Sequence, residues 1–195
     1  MKVYRYLASH RLSRCGWEGN PDNIGTEFSI AHDGDMIFLQ FNVSEPLTVA
    51  RCTHDLDHVH NDSCVEFFVS PNPQDGIYYN LECNPLGIIS FKVGCGRKDR
   101  TPAPVSVLQS IRRFSSLELT PFETKNIPMW SLALVIPKEA FFMHDLRSLS
   151  GVRMKGNFFK CGDLLPTPHF YSHAPVHTLS PDFHRPEFFE EIDFE

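Results

Sequence analysis

Hydrogen-bonding side chains recur at every second position along one stretch of this 195-residue chain. In Ile77-Tyr78-Tyr79-Asn80-Leu81-Glu82-Cys83-Asn84, an extended backbone sends Tyr78, Asn80, Glu82 and Asn84 to one side and Ile77, Tyr79, Leu81 and Cys83 to the other. A row of carboxylates, amides and a phenol suits a polar ligand rich in hydroxyls. Glu66, in the preceding Asp62–Ser70 run, is expected to face Glu82 from the neighbouring strand. Two carboxyls about 5 Å apart are the arrangement used by retaining glycosidases.

Three other groupings invite chemistry. His54-x-x-x-His58-x-His60, flanked by Asp55 and Asp57, offers imidazole and carboxylate donors for zinc or another transition metal, and calcium is possible on the carboxylates. Spacing within a loop fixes no geometry, so solvated side chains are the simpler expectation there. Glu191-Ile192-Asp193-Phe194-Glu195 imitates the Glu-x-Asp-x-Glu strand of jelly-roll glucanases. A terminal stretch frays too readily to hold catalytic groups, so an edge strand is expected instead. Pro181-Asp182-Phe183-His184-Arg185-Pro186-Glu187 contains Asp, His and Glu between prolines. Phe183, Phe188 and Phe189 read as core plugs, and Arg185 as a pin to Asp182 or Glu187. No glycine-rich phosphate loop, nucleophile elbow or dinucleotide fingerprint occurs.

These residues must be positioned by strands. Asp62–Ser70 is β-branched and aromatic and stops at Pro71-Asn72-Pro73-Gln74-Asp75-Gly76, a turn. The alternating Ile77–Asn84 run follows, and after Pro85 and Gly87 the residues Ile89, Phe91 and Val93 alternate with Ile88, Ser90 and Lys92. The result is a three-stranded antiparallel meander with one apolar and one wet face. Thr26–His32, an Asp33-Gly34 turn and Met36–Val43 predict a hairpin with Ile37, Leu39, Phe41 and Val43 inward. Further strands are expected near 47–52, 129–136 and 152–161, with one helical turn near Lys138. Trp17, near Gly16 and Gly19, is expected over one end of the core. Gly94–Pro104 is a basic loop rich in helix breakers. Many short strands and almost no helical period predict an all-β, antiparallel β-sandwich, of the jelly-roll or immunoglobulin-like layered kind, in one domain spanning 1–195.

Composition narrows the partners. A formal charge of −6 and a pI near 5.9, with no basic cluster, predict no nucleic-acid partner. No apolar run approaches the roughly 20 residues of a membrane span, and Met1–Leu7 has no long apolar segment after its charges. The chain is therefore expected to be cytoplasmic, or a trimmed secreted or periplasmic protein. The six cysteines are scattered without a Cys-x-x-Cys pair and are expected to be free, buried thiols.

Five segments in order carry a family resemblance: Asp62–Phe68, Tyr79–Asn84, Gly156–Asp163, Pro168-His169-Phe170 and Pro181–Phe189. Together, from about Trp17 to Phe194, they resemble the family 9-like carbohydrate-binding modules, sandwiches of the DOMON-like type. The resemblance implies a saccharide held between two tryptophans, with arginine, asparagine and acidic side chains on its hydroxyls and calcium in a structural role. The polar positions of that pattern fall on Glu66, Asn80, Glu82 and Asn157, and a loop arginine on Arg97 or Arg100. Trp17 and Trp130 lie outside the expected loops. His58 or His60 stands before Asp62 instead, Lys160 follows Asn157, and His173 occupies a position where relatives often have tryptophan.

The expectation is a non-catalytic module binding a mono- or oligosaccharide through Glu66, Tyr78, Asn80, Glu82, Arg97, Arg100, Asn157, His60 and Lys160. Tyr78 or Tyr171 would offer a ring face to the sugar. An interaction module that has lost its sugar and a hydrolase acting through Glu66 and Glu82 are the competing classes.

Overall fold

A computed structural model describes residues 8–14, 17, 20–118 and 120–195. The N-terminal segment before residue 8, Cys15, Gly16 and Gly19 therefore lie outside the described residues. The first strands are β1 (His10–Arg11), β2 (Ser13–Arg14), β3 (Gly25–His32), β4 (Met36–Ser44) and β5 (Thr48–Ala50). The meander follows as β6 (Cys64–Ser70), β7 (Tyr78–Cys83) and β8 (Ile89–Gly94), then β9 (Thr101–Pro102). A short helix, α1 (Val105–Ser110), precedes β10 (Arg112–Ser115), β11 (Phe122–Lys125), β12 (Met129–Pro137) and β13 (Val152–Cys161). The chain closes with β14 (Phe170–Ser172) and β15 (Glu190–Phe194). No helix among the described residues is long and apolar enough to cross a membrane.

Two antiparallel sheets form the sandwich. One runs β1-β3-β4-β12-β10; the other runs β2-β14-β13-β6-β7-β8-β9, and β15 pairs with the first half of β13. The hairpin β3–β4 turns at Gly34, whose φ of 99° is open to glycine at little cost, while the Asp33 carboxylate accepts from the amides of Asp35 and Met36. Gly156 serves a different need. A Cβ there would lie 2.7 Å from the Phe68 carbonyl and 2.9 Å from Ile192, so only glycine lets β13 sit between β6 and β15.

Alternation explains the core. Ile37, Leu39, Phe41 and Val43 of β4 and Trp130, Leu132, Leu134 and Ile136 of β12 face Val65, Phe67, Tyr79, Leu81 and Phe91 of the meander. Phe28, Phe158 and Phe67 stack across the gap with centroids 3.8 and 4.7 Å apart. Each fully buried ring of this kind contributes about 1.5–3 kcal/mol.

The meander differs from expectation in one respect. Every residue of β6 and β7 is buried, so neither face of this sheet is simply wet. The C-terminal segment folds back over the outer face. Trp17, Phe68, Tyr78, Phe159, Val176 and Phe189 pack there as a second apolar cluster, with Phe170, Phe183 and Phe188 at its margin. What remains open is a hollow between that tail and two loops.

Candidate functional site: a polar hollow on the meander

The strand register builds the floor. Glu66 lies opposite Glu82, Phe68 opposite Asn80, Asn80 opposite Lys92 and Glu82 opposite Ser90. Directly opposed residues share a face, so the predicted row is present on one side of the sheet. With Cys161 of β13, these side chains floor a hollow of ≈390 Å³, within the range of small-ligand pockets.

Three walls surround it. The first carries Asp57, His58 and His60. It is held by Asp62, fully buried, whose carboxylate accepts from the amides of Arg51 and Cys52 at 2.9 Å and from the Asn84 amide at 3.1 Å. Val59, also fully buried, anchors the 3-10 turn Val59–Asn61 against Cys64 and Cys161. The second wall is the loop after β8, bringing Arg97, Asp99 and Arg100. Asp99 adopts a φ of 56° there, a left-handed turn that Asp tolerates better than most residues. The third is Pro181, Asp182, Phe183 and His184, with Phe170 beside them.

A hydrogen-bonded chain crosses the floor. The Arg100 Nε donates to Asn80 Oδ1 at 2.6 Å, and the Asn80 amide nitrogen donates to Glu82 Oε1 at 2.6 Å. The other Glu82 oxygen faces His60 Nδ1 at 3.6 Å. Arg100 is further fixed by the Tyr78 and Gly96 carbonyls, each at 2.7 Å, and lies 4.1 Å over the Tyr78 ring. Arg97 reaches Asp182 at 3.4 Å.

Charge in so dry a place shifts proton affinities. Burial, reinforced by the Glu82 charge, raises Glu66 well above the ordinary carboxyl range. The nearby Glu82 carboxylate raises His60 despite its partial burial. Burial, then the Arg100 charge, pushes His184 down to about 4; its Nδ1 lies 2.9 Å from the Tyr78 hydroxyl.

Of the sequence-predicted residues, Glu66, Asn80, Glu82, Arg97, Arg100 and His60 meet in the hollow; Asn157, Lys160 and Tyr78 do not line it. Asn157 shares the outer face but spends its amide on the Ala174 carbonyl, and its oxygen on the amides of Ala174 and Phe158. Lys160 points the other way. Fully buried between the sheets, it meets Glu45 at 3.0 Å in a charge–charge contact and donates to the Cys161 carbonyl at 2.9 Å. Tyr78 lies beneath Arg100 and against the edge of Phe189, and Tyr171 belongs to the inner core, so neither presents a free ring. Phe68, Phe170 and Phe183 supply the aromatic walls instead. His173 packs edge-on to Phe28, away from the hollow.

The C-terminal segment pairs in part as expected. Arg185 does pair with Glu187, at 2.6 Å, but Asp182 pairs with Arg97. Phe183 stacks on Phe159 at 4.1 Å while lining the hollow, so it is wall as well as plug. Asp163, Cys161, Phe183 and His184 escaped the sequence reading; only the outward alternation of Cys161 along β13 could have flagged one of them.

Metal donors are distributed differently from expectation. Asp55 forks onto Arg113 at 2.7 and 2.8 Å, and Asp57 accepts from the amides of Thr53 and His54. Asp55 is thus taken up by Arg113, while Asp57 spends one oxygen, Oδ2, on both amides. Among the described residues, the ligand atoms that do converge are those of Cys64, Glu66 and Cys161.

An antiparallel β-sandwich with a ligand-sized polar hollow on one sheet is the architecture of a small binding module. The profile described as carbohydrate-binding family 9 matches residues 4–194, and the chain belongs to that family. A candidate carbohydrate-binding protein from Bacteroides uniformis ATCC 8492 is similar over 97% of this chain and 87% of its own, at 42% identity and a TM-score of 0.92. Two structures of a family 9 module from Caldicellulosiruptor kristjanssonii, one in complex with glucose and one with cellotriose, share the fold. They show 12% and 11% identity and TM-scores of 0.61 and 0.60, over 97% of this chain and 84% and 83% of theirs. No curated protein shows a significant match to the sequence.

Proposed function

We propose that this chain binds a mono- or oligosaccharide non-covalently in the hollow, with no bond made or broken. One observation carries the reading: the Arg100–Asn80–Glu82–His60 chain lies across the floor of a cavity walled by Phe170 and Phe183. Planar acceptors and donors engage sugar hydroxyls, and a ring face takes the C–H side of a pyranose. Arg97 and Lys92 add cationic donors at the rim. The same reading treats residues 1–195 as one domain of DOMON-like type, supported by an apolar core drawn from both sheets.

The hydrolase alternative is weaker. Glu66 and Glu82 stand side by side on the floor, whereas glycosidase carboxyls flank the scissile bond. The lost-sugar alternative draws on the internal pairing of Arg97 with Asp182. Calorimetry with a panel of mono- and oligosaccharides, glucose and cellotriose among them, tests the proposal. Saturable heat is expected, with an affinity that Glu82→Gln lowers about 10–100-fold; no heat with any of the panel would sink it. Reducing-sugar release present in the parent protein and absent in Glu66→Gln would replace binding by hydrolysis.

A further inference from the structure

We propose that Cys64, Glu66 and Cys161 form a binding site for a thiophilic divalent metal, zinc above all, in the floor of the hollow. Cys64 and Cys161 are directly opposed across β6 and β13, and Glu66 follows two residues after Cys64 on the same face. The two sulfurs and a carboxylate oxygen all lie within 4.8 Å of one another. Cys161 Sγ is 3.0 Å from Glu66 Oε1, and Cys64 Sγ is 3.9 Å from the same atom. Tetrahedral zinc, with bonds of about 2.3 Å to sulfur and about 2.0–2.2 Å to oxygen, holds its ligands roughly 3.5–4 Å apart. Seating an ion requires the Cys161–Glu66 pair to open by about half an ångström, while the Cys64–Glu66 spacing already fits.

Cys83 shows what an ordinary buried cysteine looks like in this sheet. It faces the opposite side and packs within the apolar core. Cys64 and Cys161 instead aim their sulfurs at one carboxylate. Glu66 and Cys161 both line the hollow, which gives an ion a way in and leaves the fourth position facing the cavity. Asp163 stands next to Cys161 and could close that position. Thiols select against calcium and magnesium and for zinc-like ions.

Uptake involves no oxidation. The ion replaces the two thiol protons, and the Glu66 proton where present, and these pass to solvent. Because thiolates and carboxylates bind the ion deprotonated, affinity should rise with pH. The inference does not depend on saccharide binding.

The test uses the full chain, reduced with a phosphine and titrated with cobalt(II). A thiolate-to-cobalt charge-transfer band with intense tetrahedral ligand-field bands is expected, saturating at one equivalent and bleached by one equivalent of zinc. Cys64→Ser and Cys161→Ser should lose the band, while Cys83→Ser and Cys95→Ser keep it. Should the serine variants not fold, X-ray absorption of the zinc-loaded parent decides. Two sulfur scatterers support the site; a shell of only oxygen and nitrogen overturns it. A band that survives Cys161→Ser, or is lost in Cys95→Ser, overturns it equally.

Discussion

Two buried charge clusters lie on opposite faces of the sheet that contains β6, β7 and β13, and they differ in how completely they are closed. On the inner face Glu45 accepts from Trp130 Nε1 at 2.6 Å and meets Lys160, which also contacts His169 Nε2 at 2.8 Å. On the outer face Glu66 and Glu82 stand opposite each other above a cavity, beside a lysine, Lys92, that has no ion pair among the described residues. The histidines report the contrast. Burial, then the Lys160 charge, pushes His169 down to about 3, whereas Glu82 draws His60 upward. Burial alone does not mark a recognition site. Polar groups left facing open space do.

The largest expected effect lies in the inner cluster. Glu45→Ala strands the Lys160 ammonium in the core and should cost about 3–5 kcal/mol in denaturant unfolding, without changing the saccharide affinity of the folded fraction. A loss under about 1 kcal/mol would break the comparison. Glu82→Gln should do the opposite. It removes a like-charge contact with Glu66, so stability should hold or rise, while calorimetric saccharide affinity falls about 10–100-fold, or about 1.4–2.8 kcal/mol.

A smaller effect concerns pH. Glu66 is raised in the fold, so folding favours its protonated form. The stability this confers is complete below the ordinary carboxyl value of 4.5 and is lost as pH rises through the raised value. His60 adds a like contribution, complete below 6.5 and lost above it. His184 works in reverse: its stability is present above 6.5 and lost as pH falls toward about 4. Thermal midpoints should therefore fall on both sides of a mildly acidic optimum. Glu66→Gln should flatten the alkaline side, and an unchanged alkaline slope in that variant would count against the buried carboxyl. Finest of all, histidine titration by NMR should place the His60 midpoint above 6.5 and leave His169 neutral until about pH 3. Coincident midpoints would erase the distinction.

Much of this is legible in the sequence. β13 spans Val152–Cys161 as the pattern predicts, and the alternation in β7 puts Asn80 and Glu82 on one face. Period-two spacing also carried a warning about Asn157 and Lys160. Three residues apart on a strand, they point to opposite faces and could not both reach one ligand. The tail was harder. Nothing local in Pro181–Phe189 says which sheet it will cover, because that contact spans about a hundred residues. Tyr78 therefore read as exposed although Arg100, His184 and Phe189 enclose it.

The most direct test is a crystal of the protein soaked with glucose. The account predicts sugar density in the hollow, within hydrogen-bonding distance of Asn80 and Glu82, with one ring face against Phe170 or Phe183. Density elsewhere on the molecule, or none in the hollow at saturating glucose and again at saturating cellotriose, would contradict it.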